Sequence, residues 1–477
     1  MTTIQPTTLA GHKTTLRAET IADLRNRLHG VLLQPGDPGY DEARQLFNAM
    51  IDKRPALMAR CTSAADVITC VNFAREQGIT VSILGGGHNG AGLALVDDGL
   101  VIDLSEMRTI IVDPEVGTVR VGPGARWSEV DQATHPYGLA VPSGIIANTG
   151  VAGLTLGGGL GHLSRQYGLT IDSLLEAEVV LADGRLVKAS ESENADLFWA
   201  LRGGGGNFGV VTSFLFQGRP VHTIVGGPML WPLEDAAEVM RWYRDFIVTA
   251  PENVNGFFAF LTVPPGPPFD ESLHLKRMSG IVWAINDSPE RAAQILDAVR
   301  EKFPPAQDLV GPLPFPALQS MFDAVHHPGL QWYWRGDFVN ELSDEAIERH
   351  LEFAHQLPTM HSTMHLYPIN GAVHRVGPSE TAFNYRDSTW AQVIVGVDPD
   401  PAKAGLLRDW TVAYWEALHP YSAGGSYVNF LMEEGQERVQ ATYRENYPRL
   451  AAIKAIYDPH NFFHVNQNIK PARLRSA

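Results

Sequence analysis

The stretch richest in chemistry is Leu84-Gly85-Gly86-Gly87-His88-Asn89-Gly90-Ala91-Gly92. It follows a strand-like run, Thr80-Val81-Ser82-Ile83. Adjacent glycines free the backbone for dihedrals that other residues avoid, and they leave no side chain in a ligand's way. Their N–H groups can form a concave nest for a phosphate. His88, in the middle of this cradle, offers an imidazole nitrogen to whatever the loop holds. The alternative is a structural glycine loop in which the histidine has no chemical role. Gly85, Gly87 and Gly90 have G-x-G-x-x-G spacing, but no helical pattern follows them as the dinucleotide fingerprint requires, which argues against a nicotinamide-dependent dehydrogenase.

Two more glycine segments follow. Residues 144–162 carry Thr149, Gly150, Gly153, the run Gly157-Gly158-Gly159, Gly161 and His162. Residues 203–211 run Gly203-Gly204-Gly205-Gly206-Asn207-Phe208-Gly209-Val210-Val211. Structural loops rarely need such runs beside strand-like sequence. A long ligand pressed against backbone from several sides needs them. An FAD-sized dinucleotide is such a ligand.

The elements that must position these loops change in kind along the chain. Residues 20–29 read as a helix. Ser63 caps another, with Asp66 in its first turn, apolar Val67, Val71 and Ala74 on one face, and Gly78 at its end. The strand before Gly85 comes next. Residues 109–121 read as a hairpin turning at 114–117, and residues 178–188 as a second around Asp183-Gly184. Strands crowd together with few helices between them, so the class expected is α+β. From about residue 219 the glycine runs stop. Helical patterns over 234–247, after Ser288, over 344–354 and over 402–418 alternate with strand-like runs at 257–263, 281–285, 332–339 and 391–397. This predicts an antiparallel sheet with helices on one face and the other face free to roof a cavity.

Composition excludes several classes. Lysine plus arginine number 37 against 53 aspartate plus glutamate, a net charge of −16, and no basic run stands out, so nucleic acid is not an expected partner. Only Cys61 and Cys70 are present, and Cys70 falls on the apolar face of the Ser63 helix, so neither a disulfide framework nor a cysteine metal site is expected. The polar, threonine-rich start lacks a signal-peptide core, and no run reaches the roughly 18 apolar residues of a membrane span. The expectation is a cytoplasmic protein, monomer or homodimer, with no membrane partner.

The segments Gly85-Gly86-Gly87-His88, 150–162 and Asn207-Phe208-Gly209-Val210-Val211 resemble those of the berberine-bridge-enzyme-like oxidases, within the vanillyl-alcohol-oxidase or PCMH-type flavoproteins. Tyr427-Val428-Asn429-Phe430, Asp458-Pro459-His460-Asn461-Phe462-Phe463 and Asn466-Gln467-Asn468-Ile469 agree. The resemblance implies a split FAD-binding domain formed by residues 1–218 and 424–477, with an inserted α/β substrate domain at 219–423. It implies FAD in an extended groove. The contacts expected are Leu84, Gly85, Gly86, Gly87, His88, Asn89, Gly90 and Gly92 from the first loop, and Thr149, Gly150, Gly153, Gly157, Gly158, Gly161 and His162 from the second. Val211, Asn466 and Asn468 complete the set. His88 matches the histidine that bonds the flavin 8α-methyl group. The position of a second, cysteine anchor holds Ile146, so a single covalent link is expected.

Oxidation of a C–H bond beside oxygen or nitrogen removes a hydride and a proton, and the proton needs a base. Tyr427 is the expected base, with Asn429 two residues on and, if the segment is a strand, on the same face. The competing reading of Tyr427 is a core aromatic. The function expected is an FAD-linked oxidase acting on a small alcohol, sugar or secondary-metabolite type of molecule, with O2 as acceptor. A flavin dehydrogenase or a non-catalytic flavin carrier is the alternative. Thr149 falls at about the position where relatives control oxygen access. His361 and His365 are four apart, a metal-like spacing on a helix, but their surroundings read as strand, and no metal is expected. His365 and the strand Trp332-Tyr333-Trp334-Arg335 are candidates for the cavity wall. Asp172 reads either as a site residue or as a cap.

Overall fold

The computed structural model describes residues 3–473. Its first sheet has four strands: Val31–Leu33 (β1), Leu57–Arg60 (β2), Val81–Leu84 (β3) and Leu100–Asp103 (β4), in the order β1-β2-β4-β3. β4 lies between β2 and β3 and parallel to both. The helix Ala64–Gln77 (α1) crosses from β2 to β3. Its Ser63 hydroxyl accepts the Asp66 N–H, and Gly78 closes it at φ 65°. The first glycine loop therefore leaves the carboxyl end of a buried strand.

The second sheet is antiparallel. Its strands are Ile110–Asp113 (β5), Thr118–Val121 (β6), Leu174–Val180 (β7), Leu186–Ser190 (β8) and Val210–Gln217 (β9), ordered β5-β6-β9-β7-β8. Both hairpins expected from sequence are present as β5–β6 and β7–β8. The short helix Val151–Gly157 (α2) carries the second glycine segment. The core under this sheet joins Val119, Trp127, Phe198 and Phe214 to Val428, Leu431, Tyr443, Leu450 and Ile469, so the end of the chain packs with its first half.

The third sheet has eight antiparallel strands. Thr223–Pro232 (β10), Val254–Thr262 (β11), Arg277–Ile285 (β12), Gln331–Val339 (β13), Thr363–Pro368 (β14) and Trp390–Asp398 (β15) run in the order β10-β12-β11-β14-β15-β13, with two short strands paired to β10. Period-2 alternation divides its residues between two faces. Phe258, Phe260, Ile281, Trp283, Met364 and Ile394 pack under helices Ala236–Thr249 (α3), Pro289–Lys302 (α4), Asp344–Ala354 (α5) and Ala404–Leu418 (α6). Phe257, Tyr367, Val393 and Val395 face the other way, toward the glycine loops. β10 went unread in the sequence because Gly226, Gly227 and Pro228 interrupt its pattern. No helix among the described residues is long and apolar enough to cross a membrane.

Candidate active site

The three glycine loops and the free face of the eight-stranded sheet enclose one cavity of about 370 Å³. The first two loops cross backbone to backbone. A Cβ on Gly86 would stand 2.3 Å from the Gly150 Cα, and one on Gly150 would stand 2.4 Å from the Gly86 Cα. Arg126 clamps the crossing by donating to the Gly86 carbonyl at 2.8 Å and the Asn148 carbonyl at 2.6 Å. Gly86 and Gly150 are thus required by each other. His88 follows Gly87, whose φ is +72°, and its ring stacks on Phe47 with centroids 4.0 Å apart. Desolvation in the cavity wall, with the Arg126 charge nearby, pushes the imidazole down to about 3. The ring is neutral, and its Nε2 has no hydrogen-bond partner among the described residues.

Other glycines leave open room. A Cβ on Gly153 or Gly206 would meet nothing within 4 Å, and one on Gly205 would meet nothing nearer than 3.7 Å, yet all three line the cavity. A bare backbone facing empty space is what a bulky ligand requires. No Asp, Glu, Lys or Arg lines the cavity among the described residues. A dinucleotide here would meet backbone N–H groups, Ser82, Thr149, Asn207 and Asn466, and its pyrophosphate would rest on neutral donors. The orphaned Asn466 Oδ1 and His88 Nε2 are polar atoms awaiting such a ligand. The residues fit an FAD.

The third loop is stitched to the returning C-terminal segment. Asn207 donates to the Gly204 and Gln467 carbonyls at 2.9 and 3.1 Å and accepts the Ile469 N–H at 2.9 Å. Lys454, fully buried on helix Tyr447–Tyr457 (α7), bonds the Asn207 carbonyl, the Phe463 carbonyl at 3.0 Å and Asp458 at 2.6 Å. Asn466 donates to the Gly206 carbonyl at 3.1 Å. Sequence reasoning passed over Lys454. Its signal was the i, i+4 spacing to Asp458 at a helix end.

Tyr427 and Asn429 converge, but not on a strand. Residues Val428–Phe430 form a 3-10 turn, and the pair meets because that turn folds the amide back on the phenol. Asn429 Nδ2 donates to Tyr427 Oη at 2.7 Å, and the Gly159 N–H donates to the same oxygen at 2.8 Å. The glycine run of the second segment makes room for this. A Cβ on Gly157 would stand 2.3 Å from Asn429 Oδ1, and one on Gly158 would stand 2.9 Å from the Phe383 ring and 3.4 Å from that of Tyr427. Burial raises the phenol pKa, while the two N–H donors pull it back by favouring the phenolate.

The roof comes from β13, β14 and β15. Thr363, His365 and Tyr367 alternate onto the cavity face of β14, opposite Val395, Val393 and Ala391 of β15. His365 Nδ1 and Tyr367 Oη are 2.7 Å apart. His361 lies before β14, and no cluster of three or more His, Cys, Asp or Glu side chains among the described residues could hold a metal. Trp332 and Trp334 line the cavity, whereas Arg335 turns away to Glu434 at 2.6 Å. His326, in the loop before β13, joins the wall without any sequence signal.

Of the residues singled out from sequence, Gly85, Gly86, Gly87, His88, Asn89, Thr149, Gly150, Gly153, Val211, Tyr427, Asn429 and Asn466 line this cavity. Leu84, Gly90, Gly92, Gly157, Gly158, Gly161, His162 and Asn468 do not. Leu84 ends β3 in the core, Gly90 admits Trp334 and Gly92 admits Ile51. Gly161 passes so close to the Ser143 carbonyl that a Cβ would stand 2.2 Å away. His162 is buried against Phe257, and its carbonyl accepts from Asn255. The Asn468 carbonyl accepts from Gln436. Asp172 is a structural anchor. It takes both arms of the buried Arg386 at 2.7 Å and accepts the Leu169 N–H.

Comparison with known proteins agrees with this geometry. A family model described as an FAD binding domain matches residues 55–190, and one described as berberine and berberine-like matches residues 426–470. The chain is 31% identical over 456 residues to an uncharacterized FAD-linked oxidoreductase of Bacillus subtilis, covering 94% of this chain and 98% of that one. It is 29% identical over 472 residues to (R)-6-hydroxynicotine oxidase of Paenarthrobacter nicotinovorans, covering 93% and 97%. The fold matches that of 6-hydroxy-D-nicotine oxidase from Arthrobacter nicotinovorans with a TM-score of 0.82 at 24% identity, over 93% of this chain and 98% of that one. It matches xylooligosaccharide oxidase from Myceliophthora thermophila with a TM-score of 0.83 at 23% identity, over 96% and 100%. With a PCMH-type α+β fold and relatives matched along almost its whole length, the chain belongs to the berberine-bridge-enzyme-like FAD-linked oxidoreductases.

Proposed function

We propose that this oxidoreductase carries FAD bonded covalently through His88 alone, and that it oxidises a C–H bond beside oxygen or nitrogen of a small molecule with O2 as the final acceptor. The observation that carries the reading is one cavity lined by a neutral, unpartnered His88 and by the Tyr427–Asn429 pair. FAD, when bound, supplies the acceptor for the hydride leaving the substrate carbon. The substrate's hydroxyl or amine gives up a proton in or near the same step, leaving a C=O or C=N bond. Tyr427 receives that proton as phenolate, a form that the Gly159 and Asn429 N–H groups favour against the burial that raises its pKa. Ile146 lines the wall without a nucleophile, which supports a single link. Residues 1–218 and 424–477 are taken to form the cofactor domain around the insertion 219–423. The oxidase names of relatives support O2, and Thr149, at about the position where relatives control oxygen access, lines the cavity.

The test is spectroscopic. Purified protein is expected to absorb near about 370 and 450 nm, as flavins do. The colour should stay with the acid-denatured chain and leave it in His88→Ala. Peroxide should accumulate with a good substrate. Colour on a different residue refutes the link, and bleaching that only an added quinone reverses makes the protein a dehydrogenase.

A further inference from the structure

The substrate side of the cavity is aromatic and carries no charge. Six rings, those of Phe47, Trp332, His326, His365, Tyr367 and Phe430, run without a break from His88 to Tyr427. Successive centroids, from His88 to Phe47 onward, are 4.0, 4.8, 5.4, 6.4, 5.6, 6.2 and 4.9 Å apart. All of these rings line the cavity, and no Asp, Glu, Lys or Arg does so among the described residues.

We propose that the substrate is an uncharged, flat, ring-built alcohol or amine, seated against this aromatic belt and oriented by one hydrogen bond from His365, and is neither a sugar nor a charged acid. The inference rests on the flavin-oxidase reading above and adds its substrate class. A carboxylate or ammonium entering the cavity would lose its hydration with no opposite charge to meet it. A sugar presents a hydroxyl on nearly every carbon, and each one left unpaired is penalised. The roof offers few partners, and two of them are already engaged. Thr363 Oγ1 donates to the Phe260 carbonyl at 2.8 Å, and Tyr367 Oη is bonded to His365. Ring faces and edges are what the belt supplies in quantity.

His365 gives the belt its direction. Its Nδ1 is held by the Tyr367 hydroxyl at 2.7 Å, and its Nε2 has no partner among the described residues. With Tyr367 donating to Nδ1, Nε2 keeps its proton and presents one donor to a substrate oxygen or nitrogen. Burial pushes the imidazole down to about 3 and raises the phenol, so the pair stays neutral and adds no charge to the lining.

The experiment is calorimetric titration of the holoprotein with matched probes: 1-tetralol as the ring alcohol, tetralin as its hydrocarbon, mandelate as a charged benzylic alcohol and cellobiose as a sugar. The expected result is 1-tetralol at least tenfold tighter than mandelate or cellobiose. His365→Leu should weaken 1-tetralol at least tenfold and leave tetralin unchanged. Tyr367→Phe, which keeps the ring, should weaken 1-tetralol in the same direction and serves if the leucine variant does not fold. Tighter or equal binding of the sugar or the acid, no binding of the ring alcohol, or equal losses for alcohol and hydrocarbon overturns the proposal. A yellow protein that prefers cellobiose refutes only the substrate class, whereas a colourless protein refutes the flavin reading beneath it.

Discussion

At the scale of single residues, the environment decides what each side chain can do. Tyr427 Oη accepts two N–H bonds, so its lone pairs are occupied while it is a phenol, and proton acceptance requires the phenolate. Tyr427→Phe is expected to keep the flavin and slow its reduction by substrate at least about tenfold in stopped flow, the low end of what a positioned base contributes. Asn429→Ala removes one donor to the phenolate, so the pKa of Tyr427 rises and the pH profile of that step moves to higher pH. An unmoved profile would assign Asn429 to packing. Asp131 shows the same logic without chemistry. Its carboxylate is buried, neither oxygen has a geometric partner among the described residues, and burial pushes its pKa up to about 8 against a small pull from Gln319. The folded chain holds this proton where the unfolded chain releases it in the ordinary carboxylate range. Its stabilising contribution is therefore full at acid pH and is lost as the pH rises toward 8. Asp131→Asn should melt close to wild type near pH 4 and progressively higher than wild type toward pH 8. A difference that stays constant with pH contradicts this.

Elements place these residues, and glycines are where elements meet. Gly150 and Gly153 are three apart in one segment and do opposite things. Gly150 faces the Gly86 backbone, and Gly153 faces open cavity. Gly150→Ala forces two loops apart and is expected to destabilise the protein by about 1–3 kcal/mol, as overpacking does. Gly153→Ala sits inside α2 and meets no protein atom, so its melting temperature without cofactor should hold or rise slightly. Its flavin-to-protein absorbance ratio should nevertheless fall. If both variants lose stability alike, the open space at Gly153 is not reserved for a ligand.

At the scale of the whole molecule, the sheet that roofs the cavity is tied to the glycine loops by buried polar links. Arg386 is 1% exposed, and both of its arms reach Asp172 at 2.7 Å. Arg165, equally buried, bonds Asn370 at 2.7 Å and the carbonyls of Ala250, Pro251 and Val254 beyond the end of α3. Removing one partner of a buried pair leaves an uncompensated charge and costs about 3–5 kcal/mol. Asp172→Asn should lower the melting temperature by several degrees, and Asp172→Asn combined with Arg386→Met should recover part of that loss. Additive losses in the double variant would show that the two side chains do not act as a pair.

The sequence by itself determined the α+β class, both hairpins, the Ser63 and Ser288 caps and the helices over the third sheet, because each rests on local periodicity or capping, whereas the gathering of His88 with Tyr427 was implied only by the family resemblance. It could not tell which glycines face a ligand. Gly86, Gly150, Gly157 and Gly158 are bare because distant backbone or side chains occupy the space, and one chain's sequence does not encode who its neighbours are. The same limit hid Phe47, His326 and Lys454, which become site residues through contacts with segments far away in the chain. Only the tertiary structure decided that a 3-10 turn, not a strand, joins Tyr427 to Asn429, that Asp172 anchors Arg386, and that the cavity has an aromatic, uncharged roof. Side-chain convergence is a property of packed surfaces, and those surfaces exist only once the strands have paired and turned one face inward.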